Sequence, residues 1–282
     1  MVYFTTEEID RLISEDVPYI DLTSHLLGIS SKRARICFFT REDAVTCGTE
    51  EVIQIFERLG IQVDSFLPSG SQIPAGSEII SGIGEAEKLH YIWKVSQNIL
   101  DHCAGIATKT RQLVDTVRSV NKDISILTTR KGFPGTKKLA IKSILAGGAV
   151  PHRLGLSETI LIFKQHMDMI GGFDALLERL PAIKAGCCEK KIIVETIDGG
   201  QALELCRRGA DGIQFDKLSP GSIKEIAVSI KEQYPEKILL AAGGIHLENA
   251  SLYAQAPIDG IVTSSLYNAR PINIGVKMVP VK

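Results

Sequence analysis

Ile192-Ile193-Val194-Glu195 and Ile213-Gln214-Phe215-Asp216 are short apolar runs that each close on a carboxylate, and a helix-like segment at 200–208 lies between them. Runs of this length, bounded by Gly and polar residues, read as buried strands. Strands that alternate with helices predict a parallel α/β sheet. The same rhythm continues on both sides. Upstream lie strand candidates at 124–131, ending in Arg130-Lys131, and at 159–166, ending in Lys164 and His166. Downstream lie 238–244, ending in Gly243-Gly244, and 260–265, ending in Thr263-Ser264-Ser265. Further helices are expected at 136–146, 174–185, 220–233 and 247–255. Six such strand candidates fall short of the eight of a full barrel, so an incomplete barrel and an open doubly wound sheet both fit the pattern.

The residues before about 105 have a different texture. A helix is expected at 7–14, short strands at 33–39, 43–46, 62–67 and 78–83, and a helix at 50–59 with Val52, Ile53, Ile55 and Phe56 on its buried side. Mixed short strands with a helix suggest an α+β unit. A long helix is expected over 90–120, in two pieces meeting near Gly105. The border is therefore drawn there, giving an N-terminal α/β sandwich at 1–104 and an open α/β barrel at 105–270. The tail at 271–282, with Ile274, Val276, Met278 and Val279, is expected to return to the first domain as a strand.

The 282 residues are 44% hydrophobic and 23% charged, with a formal charge of −1. That balance gives no global reason to expect nucleic-acid or membrane binding, so any anion site must come from local clustering of cations. The first residues lack a basic start and an apolar core, and no apolar run is long enough to span a bilayer. The six cysteines, Cys37, Cys47, Cys103, Cys187, Cys188 and Cys206, match no zinc spacing and read as reduced thiols of a cytoplasmic protein.

Chemistry gathers at the strand ends. In Thr128-Thr129-Arg130-Lys131-Gly132-Phe133-Pro134-Gly135-Thr136-Lys137-Lys138, cations close a strand, a Gly/Pro loop follows, and lysines open a helix. Lysine at a helix N-terminus is unfavourable unless an anion is near. Arginine grips carboxylate or phosphate through two parallel bonds, and lysine adds a point charge. Next, Gly147-Gly148-Ala149-Val150-Pro151-His152-Arg153 pairs small residues with a titratable donor and a fixed cation. Glu195 and Asp216, at the ends of apolar strands, need partners, because an unpaired buried carboxylate is costly. Those partners are lysines, a divalent cation or the hydroxyls of a bound sugar. Gly243-Gly244 followed by Thr263-Ser264 forms a phosphate cup of backbone N–H groups and hydroxyls, in the place where barrels of this class often hold phosphate. Asp211, Asp259 and Glu158 precede strands and read as structural. Tyr91 and Trp93 read as packing residues, and Lys94 has no role visible from the pattern.

Together these motifs resemble the quinolinate phosphoribosyltransferases, the nicotinate-nucleotide pyrophosphorylases. The resemblance runs through Asp21-Leu22-Thr23, Gly84-Glu85-Ala86, Asn98 with Gly105-Ile106-Ala107-Thr108, Thr129-Arg130-Lys131 with Pro134-Gly135, Gly147-Gly148 with His152-Arg153-Leu154-Gly155-Leu156, Glu195, Asp216, Gly243-Gly244-Ile245 and Thr263-Ser264. It implies a homodimer with sites between subunits, and a reaction in which an acceptor displaces pyrophosphate from phosphoribosyl pyrophosphate with Mg²⁺. It also implies roles: Arg130, Lys131, Arg153 and His152 toward the anionic acceptor or pyrophosphate, Glu195 and Asp216 toward Mg²⁺ and ribose, and Gly243, Gly244, Thr263 and Ser264 toward the 5′-phosphate. Lys131, Glu195 and Asp216 are the catalytic candidates.

The departures carry information too. The family has arginine where this chain has Lys94, and lysine where it has Phe163. Its paired Thr-Thr after Arg-Lys is Gly132-Phe133 here, its third Gly is Ala149, and its Asn beside the aspartate is Lys217. Lys94 stands in the substrate-binding place of that arginine. Lys164 could replace the charge lost at Phe163, although neighbouring residues of a strand leave on opposite sides. These changes resemble the ModD branch, pyrophosphorylase-like proteins associated with molybdenum transport, and imply an acceptor other than quinolinate. Two further readings stand beside transfer: a sensor that binds a phosphorylated metabolite without turnover, and a lyase using Lys131 or Lys142 as a Schiff-base amine.

Overall fold

The structure, a computed structural model, describes residues 2–281. In chain order its first elements are α1 (Thr6–Asp16), α2 (Leu22–Leu26), β1 (Arg33–Thr40), β2 (Ala44–Val45), α3 (Thr49–Arg58), β3 (Gln62–Phe66), β4 (Gln72–Ile73), β5 (Glu78–Glu85) and α4 (Ala86–Arg118). Then come β6 (Ser125–Thr128), α5 (Lys137–Gly147), β7 (Val150–Pro151), β8 (Ile160–Ile162), α6 (Lys164–Ile170), α7 (Phe173–Gly186), β9 (Ile192–Thr196) and α8 (Gly199–Arg207). The chain finishes with β10 (Gly212–Asp216), α9 (Pro220–Gln233), β11 (Ile238–Ala242), α10 (Ala250–Tyr253), β12 (Gly260–Thr263) and β13 (Ile274–Pro280). It divides into two compact units. The first holds the chain up to Arg111, Gly132–Gly148 and everything from Tyr267 onward, and the second holds Gln112–Lys131 and Ala149–Leu266.

The first unit is built on an antiparallel sheet in the order β13-β1-β5-β3. Along β1, Ala34, Ile36, Phe38 and Thr40 alternate into the core, the period of a strand with one buried face. α3 turns Val52, Ile55 and Phe56 onto the same core. The tail returns as the sequence predicts, with β13 pairing against β1 from Thr40–Ile274 to Ala34–Pro280. The helix expected in two pieces near Gly105 is one unbroken element, α4. Gly105 serves close approach instead: a Cβ there would overlap the backbone carbonyl of Arg270. The border drawn at 104/105 thus falls inside a continuous helix.

Two lysines of α5 change their meaning in this unit. Lys138 pairs at 2.6 Å with Glu8 of α1, so the anion near that helix start is a side chain of the protein itself. Lys142, only 8% exposed, donates to Glu50 at 2.6 Å and to Glu51. Burial works against its charge, but the bonds to Glu50 and Glu51 outweigh it and raise its pKa. Burial also opposes ionisation of Glu50, yet Lys142 and the Ser69 hydroxyl and amide hold its carboxyl down at about 2. A protonated, ion-paired amine has no lone pair to offer a carbonyl, so Lys142 is not a Schiff-base residue.

The second unit is a parallel sheet in the order β7-β6-β12-β11-β10-β9-β8. β7 and β8 are consecutive in sequence but sit at opposite edges, so the curled sheet is a barrel left open between them. This resolves the choice between an incomplete barrel and a doubly wound sheet. The sequence reading missed the short β7 at the Val150-Pro151 step and took the start of α6 for strand. At the amino ends of the strands, Asp211 accepts from Ile192 N and Lys184, and Asp259 accepts from Leu239 N and Lys231. These are the structural aspartates the sequence suggests. No helix among the described residues is long and apolar enough to cross a membrane.

Removing one partner of a buried ion pair leaves the others uncompensated, which typically costs about 3–5 kcal/mol. Lys142→Met should therefore lower the urea midpoint markedly. A midpoint unchanged from wild type would show that Glu50 and Glu51 do not depend on this cation.

Candidate active site

Parallel register places the carboxyl ends of the second unit's strands side by side. Thr128 of β6 pairs with Thr263 of β12 and with Pro151 of β7. Beyond the strands, Thr129 N donates to Thr263 O at 3.1 Å and His152 N donates to Thr128 O at 2.9 Å. Ala242 of β11 pairs with both Val262 and Asp216, and Gln214 of β10 pairs with Glu195 of β9. One rim therefore carries His152-Arg153, Arg130-Lys131, Thr263-Ser264, Gly243-Gly244, Asp216-Lys217 and Glu195.

Positive charge collects at one side of this rim. Burial and the nearby Arg130 guanidinium both press the Arg153 pKa down, opposed by Glu158. Arg153 donates weakly to Thr159 O at 3.4 Å, and among the described residues no carboxylate forms an ion pair with Arg130, Lys131 or Arg153. Among the described residues only the charge of Glu158, which forms no ion pair with Arg153, offsets the repulsion of these two guanidinium groups, and their donors are able to receive an external anion. Burial, and then the charge of Arg153, lower the His152 pKa and favour its neutral form.

Negative charge collects at Glu195 and Asp216. Burial raises the Glu195 carboxyl and the charge of Asp216 adds to this, while the bond from Gln214 and the charges of Lys131 and Lys217 work the other way. Asp216 sits against the glycine turn: a Cβ on Gly243 would come within 2.7 Å of Asp216 Oδ1 and of Lys217 N. Gly243 has φ +87° and Gly244 φ +72°, so the backbone favours glycine at both, and at Gly243 the space demands it as well. Lys217 itself holds φ +57°, a strained value for a residue with a side chain, and its ammonium lies 4.0 Å from Asp216.

Several expected contributors play other parts. The Thr263 hydroxyl, expected in a phosphate cup, donates to Ile245 O at 2.6 Å and accepts from Ser265 N, so it fixes the glycine turn. Ser264, half-buried, and the turn's backbone remain for an anion. Lys164 does not close a strand. It opens α6 and pairs with Asp168 one turn on, mostly exposed at 77%. It therefore does not replace the charge absent at Phe163. His166 lies in the same helix, its Nδ1 accepting from Phe163 N. Phe163 packs on the apolar cluster of Leu161, Ile193, Leu240, Ala242 and Val262 that lies below the rim, and Arg153 stands 5.9 Å over its ring. Lys94 belongs to the first unit, on α4, where its ammonium bonds Gln97 and lies 5.0 Å from the Trp93 ring.

The sequence reading passed over Gln214 and gave Lys217 no role. An amide between Ile213 and Phe215, on the same face as Asp216, was the signal for the first. Nothing in the pattern marks the left-handed backbone of the second.

Comparison with known proteins gives the family of the chain. Residues 21–104 match the model for "Quinolinate phosphoribosyl transferase, N-terminal domain", and residues 106–277 match "Quinolinate phosphoribosyl transferase, C-terminal domain". The ModD protein of Pasteurella multocida is 32% identical over 276 residues, covering 98% of each chain. The human nicotinate-nucleotide pyrophosphorylase is 27% identical over 263 residues, covering 93% of this chain and 87% of its own. Among solved structures, NadC from Streptococcus pyogenes superposes with a TM-score of 0.91 over 100% of both chains at 21% identity, a likeness of fold alone. The family models together span nearly the whole sequence, and this chain belongs to the quinolinate phosphoribosyl transferase family.

Proposed function

We propose that this protein joins the ribosyl group of phosphoribosyl pyrophosphate to an acidic or N-heterocyclic acceptor other than quinolinate, releasing pyrophosphate. The observation that carries the reading is the unpaired guanidinium pair Arg130 and Arg153 on the same rim as Glu195 and Asp216. A bond forms from the acceptor's nucleophile to the anomeric carbon, and the bond from that carbon to the pyrophosphate oxygen breaks. Positive charge builds on the sugar and negative charge on the leaving group. Glu195 and Asp216 stabilise the first, and Arg130, Lys131 and Arg153 stabilise the second or hold an anionic acceptor. The Gly243-Gly244 turn and Ser264 offer backbone and hydroxyl donors to the 5′-phosphate. His152 supplies a ring-nitrogen contact for the acceptor.

The donor set fits a magnesium ion. Glu195 and Asp216 are hard oxygen ligands whose mutual repulsion a cation relieves. Among the described residues no group of three or more such side chains could hold a metal alone, so ligand phosphates would complete the shell. When bound, the ion supplies charge neutralisation at pyrophosphate.

Phe163 supports the choice of acceptor. Where the resemblance implies a lysine, an aromatic ring sits on the apolar floor beneath Arg153. One cation fewer suits an acceptor with less negative charge than a dicarboxylate. The exposed apolar residues Tyr19, Ile20, Leu22, Leu26 and Leu27 support a homodimer that covers them.

The direct test is a screen of aromatic acids and nitrogen heterocycles with phosphoribosyl pyrophosphate and Mg²⁺, reading released pyrophosphate. Turnover with at least one acceptor is expected. Binding of the donor with no turnover for any acceptor would favour a sensor on this fold. Asp216→Asn should lower turnover about a hundredfold or more, the scale of one lost electrostatic contact. Full turnover in that variant would remove Asp216 from the mechanism. Quinolinate should be a poor acceptor for the wild type, and Phe163→Lys should raise its use. Efficient use of quinolinate by the wild type would overturn the role given to Phe163.

A further inference from the structure

We propose that Gln214 is a positioning residue whose buried amide fixes the Glu195 carboxylate for a ligand, at a cost to the stability of the fold. Gln214 is only 5% exposed and lies one step deeper in β10 than Asp216, on the same face. Register sets it beside Glu195 on one side and Leu240 on the other. Its Nε2 donates to Glu195 Oε2 at 2.8 Å. Its Oε1 is buried and has no hydrogen-bond partner among the described residues.

Packing does not explain an amide here. The side chains around it on this face include Ile193 and Leu240 of the apolar cluster. A buried polar atom left unpaired is costly, and replacing it with an apolar group of the same shape is close to neutral or stabilising. A Met at this position would fill the same space without that burden.

What the amide contributes is control of Glu195. Among the described residues Glu195 has no other hydrogen bond, and the charge of Asp216 repels it. One fixed oxygen leaves the second aimed by geometry rather than by chance. A neutral donor does this without cancelling the negative charge, as a lysine in the same place would. The part Glu195 then plays toward a ribosyl donor rests on the proposed function. The holding of its carboxylate does not.

The test is Gln214→Met, a change that preserves volume, followed by three measurements. The variant should melt at or above the wild-type temperature. Its ligand-free crystal structure should show Glu195 displaced or in more than one rotamer, where the wild type shows one. Calorimetry with phosphoribosyl pyrophosphate and Mg²⁺ should show affinity reduced about tenfold or more, in line with the sensitivity of bound geometry to small misplacements. A variant that fails to fold, or that melts lower with Glu195 in place and affinity unchanged, would show that the amide serves the fold and would overturn the proposal. If the wild type itself does not bind the donor, the proposed function falls, and the melting temperature and the Glu195 conformer still decide the role of Gln214.

Discussion

Parallel pairing is the constraint on which the rest of the second unit depends. Parallel strands all end on the same side, so residues far apart in sequence arrive together without any attraction of their own. Glu195, Asp216 and Gly243 meet because β9, β10 and β11 are in register, and Arg130 and Arg153 meet because β6 pairs with β7. Hydrophobic burial along the strands supplies the energy that holds these like charges near one another. The site is thus a consequence of the sheet, and the charges are its passengers.

The two units treat their charged side chains differently: Lys142 and Glu51 are buried, whereas Arg130 is exposed and Arg153 and Glu195 are half-buried. In the first, Lys142 is enclosed by Glu50 and Glu51, and Ser69 completes the shell of Glu50, so the charges are spent on each other. In the second, Arg130 and Arg153 have no carboxylate ion-pair partner among the described residues and Glu195 leans on a neutral amide. The left-handed Lys217 and the unpaired oxygen of Gln214 both lie at this rim.

Much of this was legible in the sequence, for physical reasons that differ between elements. The βα rhythm of β9 to β12 was clear because buried parallel strands are short, apolar and bounded by glycine. The return of β13 was clear because its apolar residues had no other surface to cover. The rim residues were visible because charge at the end of an apolar run is conspicuous. The turn from β8 into α6 was not clear, since Phe163-Lys164-Gln165-His166 contains no glycine or proline to mark a break while its backbone already curls; this misplaced Lys164. Gly105 looked like a break because sequence cannot show the carbonyl of Arg270 passing beside it. Lys142 looked like a free amine because Glu50 and Glu51 lie far upstream. The hydroxyl of Thr263 looked available because its bond to Ile245 depends on how the glycine turn closes.

Membership of the quinolinate phosphoribosyl transferase family sets the scaffold, and Phe163 and Lys217 are where this chain's rim departs from the pattern it resembles. An aromatic ring in the floor, a cation beside Asp216 and a buried amide under Glu195 are the features on which the proposed sugar-phosphate site rests. The most direct measurement of that claim is a crystal structure of the protein soaked with phosphoribosyl pyrophosphate and Mg²⁺. The account predicts density with the 5′-phosphate on the Gly243-Gly244 turn and the ribose beside Glu195 and Asp216. Well-ordered ligand bound elsewhere, with this rim empty, would contradict it.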